Sequence, residues 1–274
     1  MNLLELLLLG LFGILLGSGL NMLTHKLPIF IYNNWKIQCE LFLYSDRTEI
    51  SSRPSSLEVR LNCQHCQQFY SRLQYIAFLS LLLGSLRCVG CKNFNSLRGL
   101  LIEFLSCSLV ILITSHLGIN CPALCYLVLF SSLLLLAVID YYHYIVPDCI
   151  VLPLLWLGLI ANTFGLICNS ETAILGASVG YSFLWLSACL FKIIRGYEGV
   201  GRGDMKLLAA IGAWLGAYPL IFIVLAACSL GIAAVYVAVF GYKRSSQIKL
   251  PFALFLSIAV VFDFFLKDLN WRTP

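Results

Sequence analysis

Apolar stretches long enough to cross a bilayer recur along most of the chain, and few folds accommodate such a pattern. They lie near Leu3–Met22, Leu100–Leu117, Pro122–Ile139, Cys149–Ile167, Ala173–Ile194, Asp204–Leu215, Pro219–Phe240 and Pro251–Leu266. The sixth is too short to span upright by itself. With 60% apolar residues, 11% charged residues and a mean hydropathy of +0.90, the chain falls outside the range of ordinary soluble domains. The expectation is an all-α polytopic membrane protein of about eight transmembrane helices.

The net charge of +5 would suit a nucleic-acid partner, but the placement of the cations points to the lipid bilayer instead. Lys26–Arg98 holds nine Lys/Arg residues, Lys192–Lys206 four and Gly241–Lys249 three. The turns near Gly118–Cys121, Asn169–Thr172 and Gly216–Tyr218 hold none. Basic connections on alternate sides satisfy the positive-inside rule with eight spans and both termini outside. Merging spans six and seven would put Lys243, Arg244 and Lys249 outside, which counts against a seven-span arrangement. The first span carries Glu5 where a signal peptide has a basic region and lacks a small-x-small cleavage site, so it reads as retained. The reading is a polytopic inner-membrane-type protein with one cytosolic insertion.

Residues 26–97 interrupt the apolar rhythm and divide the chain into a first span (1–25), a cytosolic domain (26–97) and a bundle (98–274). Ser51–Ser56 reads as a turn and Leu57–Leu61 as a short strand. Some seventy residues make only a small core, for which a metal staple is a natural stabiliser. Two knuckles supply one: Cys63-Gln64-His65-Cys66 and Cys88-Val89-Gly90-Cys91. Four thiolates in two CxxC turns suit a tetrahedral structural zinc ion, and cytosolic thiols stay reduced. A redox dithiol and unligated cysteines are the competing readings. Cys121 and Cys125, near the outer face, are candidates for a disulfide. Cys107, Cys149, Cys168, Cys189 and Cys228 sit in or near spans, where cysteine acts as a small hydrophobe.

Two carboxylates stand at the edges of apolar segments, where charge is costly to hold. Asp140 closes the run Leu133–Ile139 with no Lys or Arg nearby in sequence. Asp204 follows Gly201-Arg202-Gly203 and opens an apolar helix. Asp204 has two readings, a helix N-cap or a reactive carboxylate. Gly201 and Gly203 permit a close backbone approach that leaves room for a substrate strand. Lys206 is either a membrane anchor or an electrostatic tuner of Asp204. Asp148, after Pro147, reads as the cap of the next span. Charge counting puts Asp140 and Asp204 on the same cytosolic face. Two carboxylates about 3 Å apart cannot both ionise cheaply and hold a single proton between them. The ionised partner takes a proton from water while the protonated one polarises a peptide carbonyl.

These residues resemble the type IV prepilin peptidase family, the GxGD-type membrane aspartyl proteases of type IV pilus and type II secretion systems. The resemblance runs from Gly13-Ile14-Leu15-Leu16-Gly17-Ser18-Gly19-Leu20-Asn21 and Lys26-Leu27-Pro28, through the paired knuckles and Ile139-Asp140 with Pro147-Asp148. It ends at Gly196–Ala209 and Gly212–Gly216. It implies Asp140 and Asp204 as the catalytic pair and Cys63, Cys66, Cys88 and Cys91 as the zinc ligands. It also implies cleavage of the short basic leader of prepilins and pseudopilins after a glycine. Many such enzymes N-methylate the new N-terminus with S-adenosylmethionine. Glu198 or Glu58 would attract the basic leader.

The chain departs from the family at several places. Val200 stands where Met is frequent, and Pro251-Phe252-Ala253-Leu254 where a Pro-Phe-Gly-Pro-like run is expected. Gln74–Phe78 and Ser96–Gly99 differ from the usual stretches around the knuckles. Those differences bear on methyl transfer rather than on peptidase activity. A preflagellin-type GxGD protease is the nearest competing enzyme, and the knuckles argue against it. A non-catalytic membrane scaffold or transporter with buried carboxylates is the competing reading of another class. A transporter calls for polar residues at midspan, whereas these spans are almost wholly apolar.

Overall fold

The structure is a computed structural model that describes residues 2–43, 97–197, 199, 201–241 and 250–271. Among these residues there are eight α-helices and no strand: α1 (Leu3–Leu43), α2 (Leu97–Leu117), α3 (Cys121–His143), α4 (Asp148–Thr163), α5 (Ser170–Arg195), α6 (Arg202–Leu215), α7 (Tyr218–Tyr236) and α8 (Phe252–Trp271). A π-helical turn, Val237–Gly241, prolongs α7. Five of the helices (α1, α2, α3, α5 and α7 with its π turn) are long and apolar enough to cross a membrane. The turn, the strand and both cysteine knuckles expected between Ser51 and Cys91 lie outside the described residues, as does Glu198.

The elements start and stop where local chemistry directs. Asn120 caps α3 by accepting the Ala123 N–H at 2.9 Å, with Pro122 in the first turn where its missing N–H costs nothing. Gly196, at φ 80°, ends α5 just after Lys192 and Arg195, whose charges suit the negative end of a helix. The first helix runs well past the expected Met22 boundary, through Lys26 and Pro28 to Leu43. At 1.5 Å per residue its 41 residues exceed a hydrocarbon core of about 30 Å.

The chain divides into two compact units, Met1–Leu112 and Ile113–Pro274. In the first, Gly13 and Gly17 lie one helical turn apart on α1 and face α2. A Cβ at Gly13 would sit 2.6 Å from the Cys107 Cα, and one at Gly17 would sit 2.7 Å from the Glu103 Cα. Only glycine permits that approach, and Ser106 Oγ donates to the buried Gly13 carbonyl at 2.9 Å. The opening glycine signature is therefore a helix-packing seam.

In the second unit α6 forms the centre, packed against α4, α5, α7 and α8. Met205 and every residue from Leu207 to Leu215 are buried. The short sixth segment is a core helix, which explains how fourteen residues serve where a lone span would need about twenty. Its closest neighbour is α5: a Cβ on Gly176 or on Gly212 would strike the other's backbone, and Gly180 lies against Leu208. Large apolar side chains on the other helices, such as Trp156, Leu186, Phe222 and Leu225, point outward, as a lipid-facing surface requires.

Asn162, 1% exposed on α4, holds the far end of α6. Its Nδ2 donates to the Ala213 and Trp214 carbonyls at 2.8 and 3.0 Å. Its Oδ1 accepts the Ile167 and Cys168 N–H groups at 3.2 and 3.1 Å. Trp214 Nε1 donates to the Leu154 carbonyl at 2.8 Å, with Gly158 leaving space for the indole. Replacing Asn162 with leucine strands several buried backbone groups at once. The expected cost is at least about 3 kcal/mol, read as a loss of thermal stability in detergent or bilayer nanodiscs. Unchanged stability would contradict the network's structural importance.

Candidate active site

Asp140 occupies the last turns of α3. The helix is stopped by Tyr144, which adopts the left-handed conformation at φ 55° and returns its N–H to the Asp140 carbonyl at 2.9 Å. Ile145, Val146 and Pro147 then lead directly into α4. A carboxylate near a helix C-terminus faces the negative end of the dipole, so holding Asp140 there requires an opposing field. The first turn of α8 supplies it. Ala253 N–H donates to Asp140 Oδ2 at 2.9 Å, and the Leu254 N–H is a second donor. These are the N–H groups that a helix start leaves without internal partners, aimed at a carboxylate 5% exposed.

Asp204 lies in the first turn of α6, and its partly buried carboxyl feels the charge of Asp140. The structure thus brings together two residues 64 positions apart (204 − 140), both predicted from sequence. The N-cap reading of Asp204 does not hold. Gly201 occupies the cap position, no side chain caps the helix, and the Asp204 N–H reaches the Gly201 carbonyl at 3.2 Å. The carboxylate is left available for its neighbour.

Both glycines lie close to identifiable neighbours. A Cβ on Gly201 would lie 2.9 Å from Asp204 Oδ2, and one on Gly203 would lie 2.7 Å from the Val146 Cβ. Neither has a positive φ, so close approach rather than backbone conformation accounts for them. At Gly203 the space is taken by the α3–α4 connection, whereas at the exposed Gly201 it is bounded by the Asp204 carboxylate alone. Gly203 thereby seats the segment following Asp140 directly on the turn that carries Asp204.

Asp148 also differs from its expectation. Pro147 takes the cap position of α4 without a side-chain hydrogen bond, and both Asp148 oxygens accept from Lys206 Nζ, at 2.8 and 2.7 Å. Lys206 is therefore tied to Asp148. The pair bridges the start of α4 to α6, but with the Asp148 side chain 54% exposed it contributes about 0–1 kcal/mol. Cys121 and Cys125 are free thiols on α3, one helical turn apart, and no disulfide joins them.

Among the described residues no group of three or more His, Cys, Asp or Glu is placed to hold a metal ion. Sequence reasoning missed three contributors: the Ala253 and Leu254 N–H groups, and Val146 under Gly203. The first two are backbone atoms, and Pro251 before an apolar run was the available signal of a helix start there.

Residues 127–238, which include Asp140, Asp204 and both glycines, match the Type IV leader peptidase family. Residues 11–117, which include the α1–α2 seam, match the Bacterial Peptidase A24 N-terminal domain. A Prepilin leader peptidase/N-methyltransferase of Stutzerimonas stutzeri is 38% identical over 90% of this chain and 86% of its own. One of Legionella pneumophila is 34% identical over 97% and 93%, and one of Aeromonas hydrophila 36% identical over 91% and 86%. No solved structure matches. With relatives of this identity along nearly its full length, the chain belongs to the type IV leader peptidase family.

Proposed function

We propose that the protein is a membrane aspartic endopeptidase that removes the leader of type IV prepilins or pseudopilins, with Asp140 and Asp204 as its catalytic pair. The observation that carries this reading is Asp140, buried at an apolar helix end and held by the α8 N-terminus, with Gly203 seating the segment that follows it on the turn that carries Asp204. In such a pair the ionised carboxylate accepts a proton from water as the oxygen attacks the peptide carbon. The protonated carboxyl donates toward the carbonyl oxygen, and no covalent intermediate forms. Collapse of the tetrahedral species returns a proton to the leaving amine.

The same reading includes eight membrane passages, a catalytic face toward the cytosol of a bacterial inner membrane, and N-methylation of the new N-terminus. The relatives' N-methyltransferase name supports the last of these. S-adenosylmethionine supplies the methyl group when bound. Membranes containing the protein are expected to shorten a prepilin by its leader, and labelled S-adenosylmethionine to mark the mature product. Prepilin left intact would overturn the peptidase reading; cleavage without label would remove methyl transfer alone.

Cys63, Cys66, Cys88 and Cys91 are the residues that would hold a zinc ion, as a set of four thiolates suited to tetrahedral structural coordination. Purified protein is expected to carry about one zinc per chain and to lose stability on strong chelation. Metal-free protein of full stability would contradict this.

A further inference from the structure

The two ends of α4 are fastened to α6 by different chemistry. The helices run side by side in the same direction, since the start of α4 meets Lys206 and its end meets the Ala213 and Trp214 carbonyls. At the far end the fastening is buried, through Asn162 and through the Trp214 indole bonded to the Leu154 carbonyl. At the near end, beside Asp204, it is open to solvent. Lys206 Nζ donates to both Asp148 oxygens, from side chains 33% and 54% exposed. So exposed a pair adds little to stability, and its worth has to lie in geometry.

Its place in the fold gives that geometry. Ile145, Val146 and Pro147 alone separate Asp148 from Tyr144, whose N–H closes α3 on the Asp140 carbonyl. Pro147 is locked at φ −69°, so so short a connection carries a shift of the α4 start back to the helix end that bears Asp140. On α6, Gly203 and Lys206 lie three residues apart on one face, and Asp204 falls between them in sequence. Gly203 sits against Val146, and Lys206 holds Asp148 two residues further on. One of these contacts by itself is a pivot; the two together set a register. Neither simpler role uses the contact. A lysine anchoring the helix would direct its ammonium to lipid headgroups, and a capping aspartate would accept from its own helix. We propose that Asp148 and Lys206 are positioning residues, whose ion pair holds the end of α3 against the first turn of α6 and so sets Asp140 relative to Asp204. This rests on the peptidase reading given above.

Two measurements on the full chain test it. The first is kcat and KM for prepilin cleavage, beside the melting temperature. Lys206→Met keeps the stem without the charge, and Asp148→Asn keeps the shape. Each is expected to lower kcat about tenfold while KM and the melting temperature hold, because a small displacement of reacting groups costs rate before it costs binding. Lys206→Arg, whose guanidinium spans both carboxylate oxygens, is expected to keep kcat within about threefold of wild type. A rise in KM at constant kcat would make the pair a substrate contact, and a loss of rate matched by a lower melting temperature would make it merely structural. Either result, or no change at all, overturns the proposal. The second measurement needs no turnover: amide hydrogen exchange across residues 146–151 and 202–206 in bilayer nanodiscs. Lys206→Met and Asp148→Asn are expected to speed it at least about threefold, with residues 158–163 unchanged and Lys206→Arg at the wild-type rate. Unchanged exchange in both variants, with wild-type cleavage intact, would sink the positioning role and spare the peptidase. Faster exchange in a protein whose wild type leaves prepilin whole would do the reverse.

Discussion

Replacing Asp140 with asparagine is expected to lower prepilin cleavage by at least about 10³-fold, and Asp204→Asn to do the same. Asparagine keeps the size of the side chain but can neither carry the shared proton nor take one from water. At Asp140 the change also disturbs the carboxylate's setting. Ala253 and Leu254 present N–H donors, and an amide NH₂ turned toward them would meet like dipoles. Asparagine can answer by directing its carbonyl oxygen to Ala253, so α8 stays docked and the loss falls on turnover rather than on folding. The measurement is cleavage in membranes beside thermal stability in detergent. Near wild-type cleavage by either variant would remove that residue from the catalytic pair.

The second large effect lies in the glycines before Asp204, and the two differ in an informative way. At Gly201 an added methyl meets the Asp204 carboxylate itself, 2.9 Å from Oδ2. That oxygen is the far end of a rotatable side chain, so it swings away and the fold survives. Gly201→Ala is therefore expected to cut cleavage about 10²-fold, the order of loss that a displacement near 1 Å produces, with little change in stability. At Gly203 the obstacle is the Val146 Cβ at 2.7 Å, an atom fixed to the backbone of the α3–α4 connection. Gly203→Ala must push the start of α6 away from the segment that follows Asp140. It is expected to lose activity and melt earlier. Full activity in both variants would show that neither close approach matters to the site.

What the sequence disclosed followed the physics of its signals. A carboxylate closing an apolar run is visible in one dimension, because its cost is set by immediate neighbours; Asp140 stood out for that reason. The eight helices were legible because runs of apolar residues report directly on burial or lipid exposure. Which of the two applied was less legible. Only packing distinguishes α6, buried at almost every position after Lys206, from a lipid-facing span. Long-range pairings were invisible. Asp148 looked like a cap because its local position suits one, and Lys206, 58 residues away, claimed its carboxylate instead. The donors to Asp140 come from 113 residues further along and are backbone atoms, for which no residue type is a marker. The glycines suggested a close approach, and the atoms nearest them belong to Val146 and Asp204, which local sequence does not single out.

As a catalytic pair, Asp140 and Asp204 would act as one unit rather than as two independent contributors. The most direct test is single-turnover cleavage of a prepilin in membranes by the Asp140→Asn/Asp204→Asn double variant, set beside both single variants. If the carboxylates share one proton and one water, removing the second after the first costs almost nothing, and the three variants share the same residual rate. A double variant slower than either single one by the product of their separate losses would contradict the pairing.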